Sequence, residues 1–289
     1  MSVAVIDRLG LYARLVRIDK PIGTFLLLWP TLWALWAAGQ GVPPMPILLI
    51  FVVGTFLMRA AGCAINDYFD RDFDLHVERT QARVLTTGLI KPKEALLVAA
   101  VLALAAFLLV LLLNPLTIQL SFVALLLAGT YPLMKRFFGV PQAYLGIAFG
   151  FGMPMAFAAI TNTVPPVVWV MMLANICWTV AYDTEYAMVD REDDIKLGLK
   201  TAALTFGRFD VVAIGVCYLA AVLLLVVVGS MMQWGLPYLL GLGAASGIAI
   251  THLWWIRHRD RAACFRAFRH NNWFGAAVFA GIVAQYSLA

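Results

Sequence analysis

Charge is what this sequence has least of. Only 13% of its residues are Asp, Glu, Lys or Arg against 63% hydrophobic ones, and the mean hydropathy is +0.87. A water-soluble domain of 289 residues exposes far more surface than so few polar side chains can cover, so a soluble domain is excluded and the chain reads as an integral membrane protein. Cysteine is also sparse. Cys63, Cys177, Cys217 and Cys264 stand singly with no CxxC spacing, which excludes a disulfide framework and a zinc site and leaves them as small buried hydrophobes. His76, His252, His258 and His270 lack metal-ligand spacing and read as ordinary polar histidines. The excess of five positive charges is what cytoplasmic loops and anionic lipid require, and nucleic acid is not called for as a partner. Arg8, Arg14, Arg17 and Lys20 precede the first apolar run and no small-residue cleavage site follows it, so that run is an anchor rather than a cleaved signal.

What is present in quantity is long apolar runs. A bilayer core needs about 20 apolar residues per helix, and nine runs qualify, at roughly 22–38, 46–65, 95–113, 116–133, 143–160, 165–182, 211–230, 235–256 and 273–289. The predicted fold class is therefore all-α integral membrane with nine transmembrane helices, in one domain over 1–289. The connections "NPLT" (114–117) and "TNTVPP" (161–166) are tight turns between antiparallel neighbours. With the N-terminus inside, all 21 Lys and Arg fall on the cytoplasmic side, as the positive-inside bias requires, and the C-terminus lies outside. All 16 acids fall on that side too, which the bias does not require.

Those acids gather in two segments, Asp67 to Glu78 and Asp183 to Asp194, each leaving the end of an even-numbered span. Both are followed by a basic, then small-residue run ("RVLTTG", 83–88; "KTAALTFG", 200–207), the trace of an internal duplication with its boundary near 140. On a helix continuing from the second span, Asn66, Asp67, Asp70 and Asp74 share one face while Asp72 points elsewhere, and Asp183, Tyr186, Asp190 and Asp194 share a face of the other segment. Like charges so spaced repel, and a positive species must sit between them. Carboxylates with an Asn carbonyl are hard ligands, and Mg²⁺ binds through one or two carboxylates together with substrate phosphates, which makes a diphosphate the natural third party. Arg59, seven residues before Asn66 and two turns deeper, is an intramembrane cation suited to hold the carboxylate of a small acid. Arg17, Lys20, Arg79, Arg83, Lys135 and Arg136 are each accounted for by loop anchoring alone, yet together they suit a polyanionic leaving group.

"NDYFDRDFD" (66–74) resembles the NDxxDxxxD motif of the UbiA superfamily of membrane prenyltransferases, and "DREDD" (190–194) its DxxxD partner. "RLVRIDKPIGTFLLLWPTLWALW" (14–36), "ERTQARVLTTG" (78–88), "YPLMKR" (131–136) and "YDTEYAMVDREDD" (182–194) look like the branch of that superfamily acting on 4-hydroxybenzoate in ubiquinone biosynthesis. The resemblance covers nearly the whole chain. Many superfamily members carry a Lys three residues before the second motif where this chain has Ala187, so no diphosphate role of that Lys carries over.

The resemblance implies a helical bundle around a central cavity with a cytoplasmic cap, in the bacterial inner membrane. It further implies a long polyprenyl diphosphate as donor, 4-hydroxybenzoate as acceptor, Mg²⁺ as the ion, membrane lipid as surroundings and no obligatory protein partner. Asn66, Asp67, Asp70, Asp74, Asp190 and Asp194 take the motif positions for Mg²⁺ and diphosphate, Lys135 and Arg17 match diphosphate contacts, and Arg59 matches an acceptor-carboxylate contact. Asp183 and Tyr186 belong to the branch pattern without an assigned role, and Asp190 and Asp183 are the candidates for taking the ring proton. Rival readings are a cation transporter, which places its acids near mid-membrane, a phosphatidyltransferase, whose DGxxAR signature is absent, and a UbiA-type enzyme with another acceptor.

Overall fold

The computed structural model describes residues 3–134 and 137–288. Lys135 and Arg136, both expected at the diphosphate, lie outside the described residues. Among the described residues the chain is helical throughout, without strands. A short helix α1 (Val3–Leu15) precedes the spans α2 (Ile22–Gly39), α3 (Met45–Asp74), α4 (Pro92–Val110) and α5 (Pro115–Met134). Then come α6 (Pro141–Gly150), α7 (Gly152–Thr161), α8 (Pro166–Val189), the short α9 (Arg191–Leu197) and α10 (Ala202–Phe206), and the spans α11 (Asp210–Met231), α12 (Leu236–Ile256) and α13 (Arg261–Leu288).

Eight segments, with α6 and α7 counted together, are long and apolar enough to cross a membrane. The ninth expected run lies in α13, whose hydropathy is cut by Asn271, Asn272 and Gln285, polar residues turned inward rather than to lipid. Lipid instead meets stripes such as Val212, Val216, Leu219 and Leu223 on α11, exposed at helical spacing. The turn at 161–166 is where the sequence puts it, whereas the connection expected at 114–117 lies at 111–114, because Pro115 already opens α5. Asn114 accepts from the backbone N–H and the hydroxyl of Thr117 (2.9 and 2.8 Å) and donates to the Ala158 carbonyl (2.6 Å), which caps α5 and ties its start to α7.

Two expected helices are broken. The run 143–160 divides at Phe151, because Pro154 has no N–H to offer the Gly150 carbonyl and its ring crowds that turn. The segment carrying Asp183 to Asp194 is not one helix: α8 stops at Val189, Asp190 takes φ −100° and ψ 8°, and Asp194 sits on α9.

Around the bundle α2 packs on α3, α7 and α13, α3 on α4 and α5, α5 on α6, α6 on α8, and α8 on α13, which closes a ring. α11 and α12 pack outside it, against α8 and α13 respectively, and give no side chain to the enclosed cavity. Between apolar helices in lipid the hydrophobic effect gives little net drive, so close backbone approach carries the packing. Where α12 crosses α13, a Cβ on Gly241 would lie 2.6 Å from Gly281 Cα and 2.8 Å from the Ala277 carbonyl, both backbone atoms that cannot swing aside. Gly241→Ala is expected to cost about 1–3 kcal/mol through forced separation of the pair, read as a lowered thermal midpoint of the purified protein in detergent.

Candidate active site

The ring encloses a cavity of about 920 Å³. Its charged end is formed by the last turns of α3, the turns between α3 and α4, and the segment from Asp190 to Thr201; its deep end is apolar, with Phe51 from α3, Val110 from α4, Phe149 from α6 and Met155 from α7. The break at Phe151 shapes that deep wall, since Phe151 and Gly152 both line it.

Because α3 continues unbroken to Asp74, its acids hold helical spacing. Asn66, Asp70 and Asp74 line the cavity, and Asn66 donates to Asp70 Oδ2 at 2.9 Å, which turns the Asn carbonyl oxygen away from that bond and leaves it an acceptor. Asp67 is placed differently. It is buried outside the cavity lining, with Oδ1 2.5 Å from Arg17 Nη2 and 3.0 Å from Arg83 Nη1. Arg83 also meets Asp74 Oδ2 at 2.6 Å, so one guanidinium neutralises two acids of the row. Asp72 projects outward beside Arg71, as the spacing requires.

From the other side Asp183, Tyr186, Asp190 and Asp194 line the same cavity despite the break after α8. Arg79 answers this second row. Its Nε lies 3.1 and 3.0 Å from the two oxygens of Asp190, Nη2 is 2.5 Å from Oδ2, and the guanidinium covers the Tyr186 ring at 4.5 Å. Tyr186 in turn stacks on Phe268 at 4.3 Å. Burial by itself would lower the pKa of Arg17 and of Arg79, but the charge of Asp67 beside Arg17, and Tyr186 and Asp190 beside Arg79, outweigh it and hold both above the ordinary arginine value. Both remain cations at any working pH. Arg17 occupies the left-handed region (φ 58°), an uncommon state for a non-glycine residue, at the turn joining α1 to α2.

Deeper in, Arg59 lines the cavity and its Nη1 donates to Cys63 Sγ, while its Nε is buried without a hydrogen-bond partner among the described residues. A buried guanidinium nitrogen left unpaired is costly and is relieved by an anion.

Among the described residues no three His, Cys, Asp or Glu side chains converge as a ready-made cage for a metal ion. The donor set is nonetheless all oxygen, from Asp70, Asp74, Asp190 and Asp194 with Asn66, and suits Mg²⁺ held jointly with substrate phosphate, since that ion is seldom caged by protein alone.

Sequence reasoning missed part of the wall. The basic segment 257–270 is helical from Arg261 onward and sends Phe265, Phe268 and Arg269 to the cavity; its arginines and aromatics alternate as an amphipathic helix start does. Tyr131 on α5 and Tyr182 on α8 also line the cavity. A second polar cluster lies outside the lining. Buried Glu185 accepts from Tyr218 (3.0 Å) and Asn271 (2.8 Å), Tyr218 Oη lies 2.9 Å from His252 Nδ1, and His252 Nε2 lies 3.0 Å from His270 Nδ1. No motif announces it, because its members are scattered over α8, α11, α12 and α13.

Residues 27–275 match the UbiA prenyltransferase family. The chain is 62% identical over 280 residues to the 4-hydroxybenzoate octaprenyltransferase of Azoarcus sp. (strain BH72), covering 97% of this chain and 98% of the relative. It is 64% identical over 284 residues to the enzyme of the same name from Cupriavidus necator, covering 98% of this chain and all of the relative. Among solved structures, the apo UbiA homolog from Aeropyrum pernix K1 superposes with a TM-score of 0.79 at 24% identity, over 92% of this chain and 98% of that one. The Archaeoglobus fulgidus UbiA homolog bound to GPP and Mg²⁺ gives 0.66 at 18%, over 94% and 99%. At such identities the two structures establish the shared fold alone.

Proposed function

The chain belongs to the UbiA prenyltransferase family and is an integral membrane aromatic prenyltransferase, and from that premise we propose that it moves a polyprenyl group from polyprenyl diphosphate to 4-hydroxybenzoate in a Mg²⁺-dependent reaction at the ring carbon meta to the carboxylate. The acceptor follows the names of its relatives, and the metal and donor class follow the Archaeoglobus neighbour's ligands. The observation that carries the reading is that both acid rows line one cavity with Arg79 and Arg83, above an apolar interior holding a partly unpaired Arg59. The charged face is placed toward the cytoplasm by its Lys and Arg. On this reading α13, which starts at that face, carries the C-terminus toward the other side of the membrane.

Asn66, Asp70, Asp74, Asp190 and Asp194 would hold the ion. When bound, Mg²⁺ supplies positive charge to the diphosphate oxygens as the allylic C–O bond breaks. Arg79 and Arg83 add fixed cationic charge at the same end, where negative charge accumulates on the departing group. The allylic cation is shielded from water by the apolar and aromatic wall, whose ring faces also favour positive charge. Arg59 fixes the acceptor by its carboxylate, so the carbon ortho to the phenol hydroxyl faces the cation. Attack forms the C–C bond, and loss of the ring proton to Asp183 or Asp190 restores aromaticity.

The test is transfer of radiolabelled 4-hydroxybenzoate into solvent-extractable product by purified protein. Transfer is expected with Mg²⁺, at least about 100-fold less with EDTA, the scale of losing one transition-state charge stabiliser, and recovery on adding Mg²⁺ back. Proton NMR of the product should show substitution ortho to the hydroxyl. Transfer undiminished by EDTA would remove the ion's role.

A further inference from the structure

Tyr182 carries a buried hydroxyl that nothing among the described residues uses. The residue is 1% exposed, forms part of the cavity wall, and its Oη has no hydrogen-bond partner among the described residues. Thr179, one turn earlier, brings its own hydroxyl near without making a hydrogen bond, and is likewise unpartnered among the described residues. Buried tyrosine hydroxyls are nearly always paired, and an unmade bond at such a site is destabilising. The ring has no freedom to turn elsewhere, since it packs edge-on against Trp178 at 5.2 Å and against Phe268 at 6.2 Å.

Its position says what it waits for. At 1.5 Å per residue Tyr182 lies about 12 Å before Asp190 along α8, and Arg59 about 10 Å before Asn66 along α3, so each stands well inside the bundle from the acids of its own helix. Arg59, Tyr131 and Asp183 are all near enough to act electrostatically on the Tyr182 hydroxyl. Arg59 Nε and Tyr182 Oη are thus two buried polar atoms of cavity-lining residues, unpartnered among the described residues, on side chains within electrostatic reach of each other. A rigid acid with its carboxylate between them would extend its ring toward Asp183, Tyr186 and the acid rows beyond.

We propose that Tyr182 is a specificity-determining residue that donates its phenolic hydrogen to the acceptor's carboxylate, beside Arg59. Arg59 supplies the charge; Tyr182 supplies a directed bond that selects an ionised acid over its ester or amide. The assignment rests on the acceptor reading given above.

The experiment compares wild type with Tyr182→Phe, full chain, with Mg²⁺ and polyprenyl diphosphate. The substitution removes one oxygen that has no partner in the resting protein. Its thermal midpoint without acceptor should therefore stay the same or rise, while the KM for 4-hydroxybenzoate rises about tenfold, the worth of one hydrogen bond to a charged group. The KM for the diphosphate should not move, kcat should stay within about twofold because the bond is made equally in ground and transition states, and the preference for 4-hydroxybenzoate over its methyl ester should shrink. An unchanged acceptor KM overturns the proposal. So does a raised KM accompanied by a lowered thermal midpoint, which is the mark of lost packing. Wild-type enzyme that ignores 4-hydroxybenzoate would instead overturn the acceptor reading, and this assignment with it.

Discussion

Asp70→Ala and Asp190→Ala should each lower kcat by about 10³-fold or more, the scale seen when a preorganised charge-stabilising group is removed from a reacting centre. The two acids stand on different helices, α3 and the end of α8, yet line one cavity. Each is expected to act where the leaving group gathers charge, so its loss falls on the transition state rather than on substrate binding alone. The measurement is single-turnover transfer at saturating Mg²⁺ and both substrates, beside the thermal midpoint of each variant. Asp70→Asn and Asp190→Asn serve as isosteric controls and should be nearly as inactive, because an amide cannot supply the missing charge. Arg79 loses its carboxylate partner in both Asp190 variants, so these should be somewhat less stable than the Asp70 variants. Wild-type turnover in folded Asp70→Ala or Asp190→Ala protein would remove the proposed site.

The second large effect is expected from Arg59→Ala. The acceptor KM should rise by about 100-fold, since truncating one partner of a buried charged pair costs several kcal/mol and leaves the other charge stranded. kcat at saturating acceptor should change little by comparison, and the diphosphate KM should hold, because Arg59 lies about 10 Å below Asn66 along α3. Arg59→Lys should recover only part of the affinity: an ammonium supplies charge but not the two parallel donors of a guanidinium. The space is already fitted to the larger group, for the Arg59 guanidinium lies against Gly23 of α2, where a Cβ would collide with it. An acceptor KM equal to wild type would show that the carboxylate is held elsewhere.

The membrane class, the turn at 161–166 and the shared end of both acid rows were legible in the sequence, because lipid imposes long apolar runs and punishes stray charge. The breaks were harder. A face pattern of Asp183, Tyr186, Asp190 and Asp194 fits one long helix or two short ones bent toward the same cavity, and only the backbone at Asp190 separates them. Which guanidinium answers which acid was also hidden: Arg79 and Asp190 are 111 positions apart, and nothing local prefers that pairing to Arg79 with Asp74. Asp67 belongs to the motif in sequence but faces Arg17 and Arg83, because neighbours at offset one point about 100° apart on a helix. Tyr182 went unremarked because its oddity is an absent partner, and absence of a partner is a property of coordinates.

The cluster around Glu185 gives α8 something most membrane helices lack, a rotational key. Tyr182, Asp183 and Tyr186 look into the cavity while Glu185, between them in sequence, is bonded sideways to Tyr218 and Asn271. To roll, this helix would have to break buried polar bonds as well as its packing. Tyr218 of α11, a helix that gives no side chain to the cavity, thereby helps set the azimuth at which α8 presents its cavity-lining face.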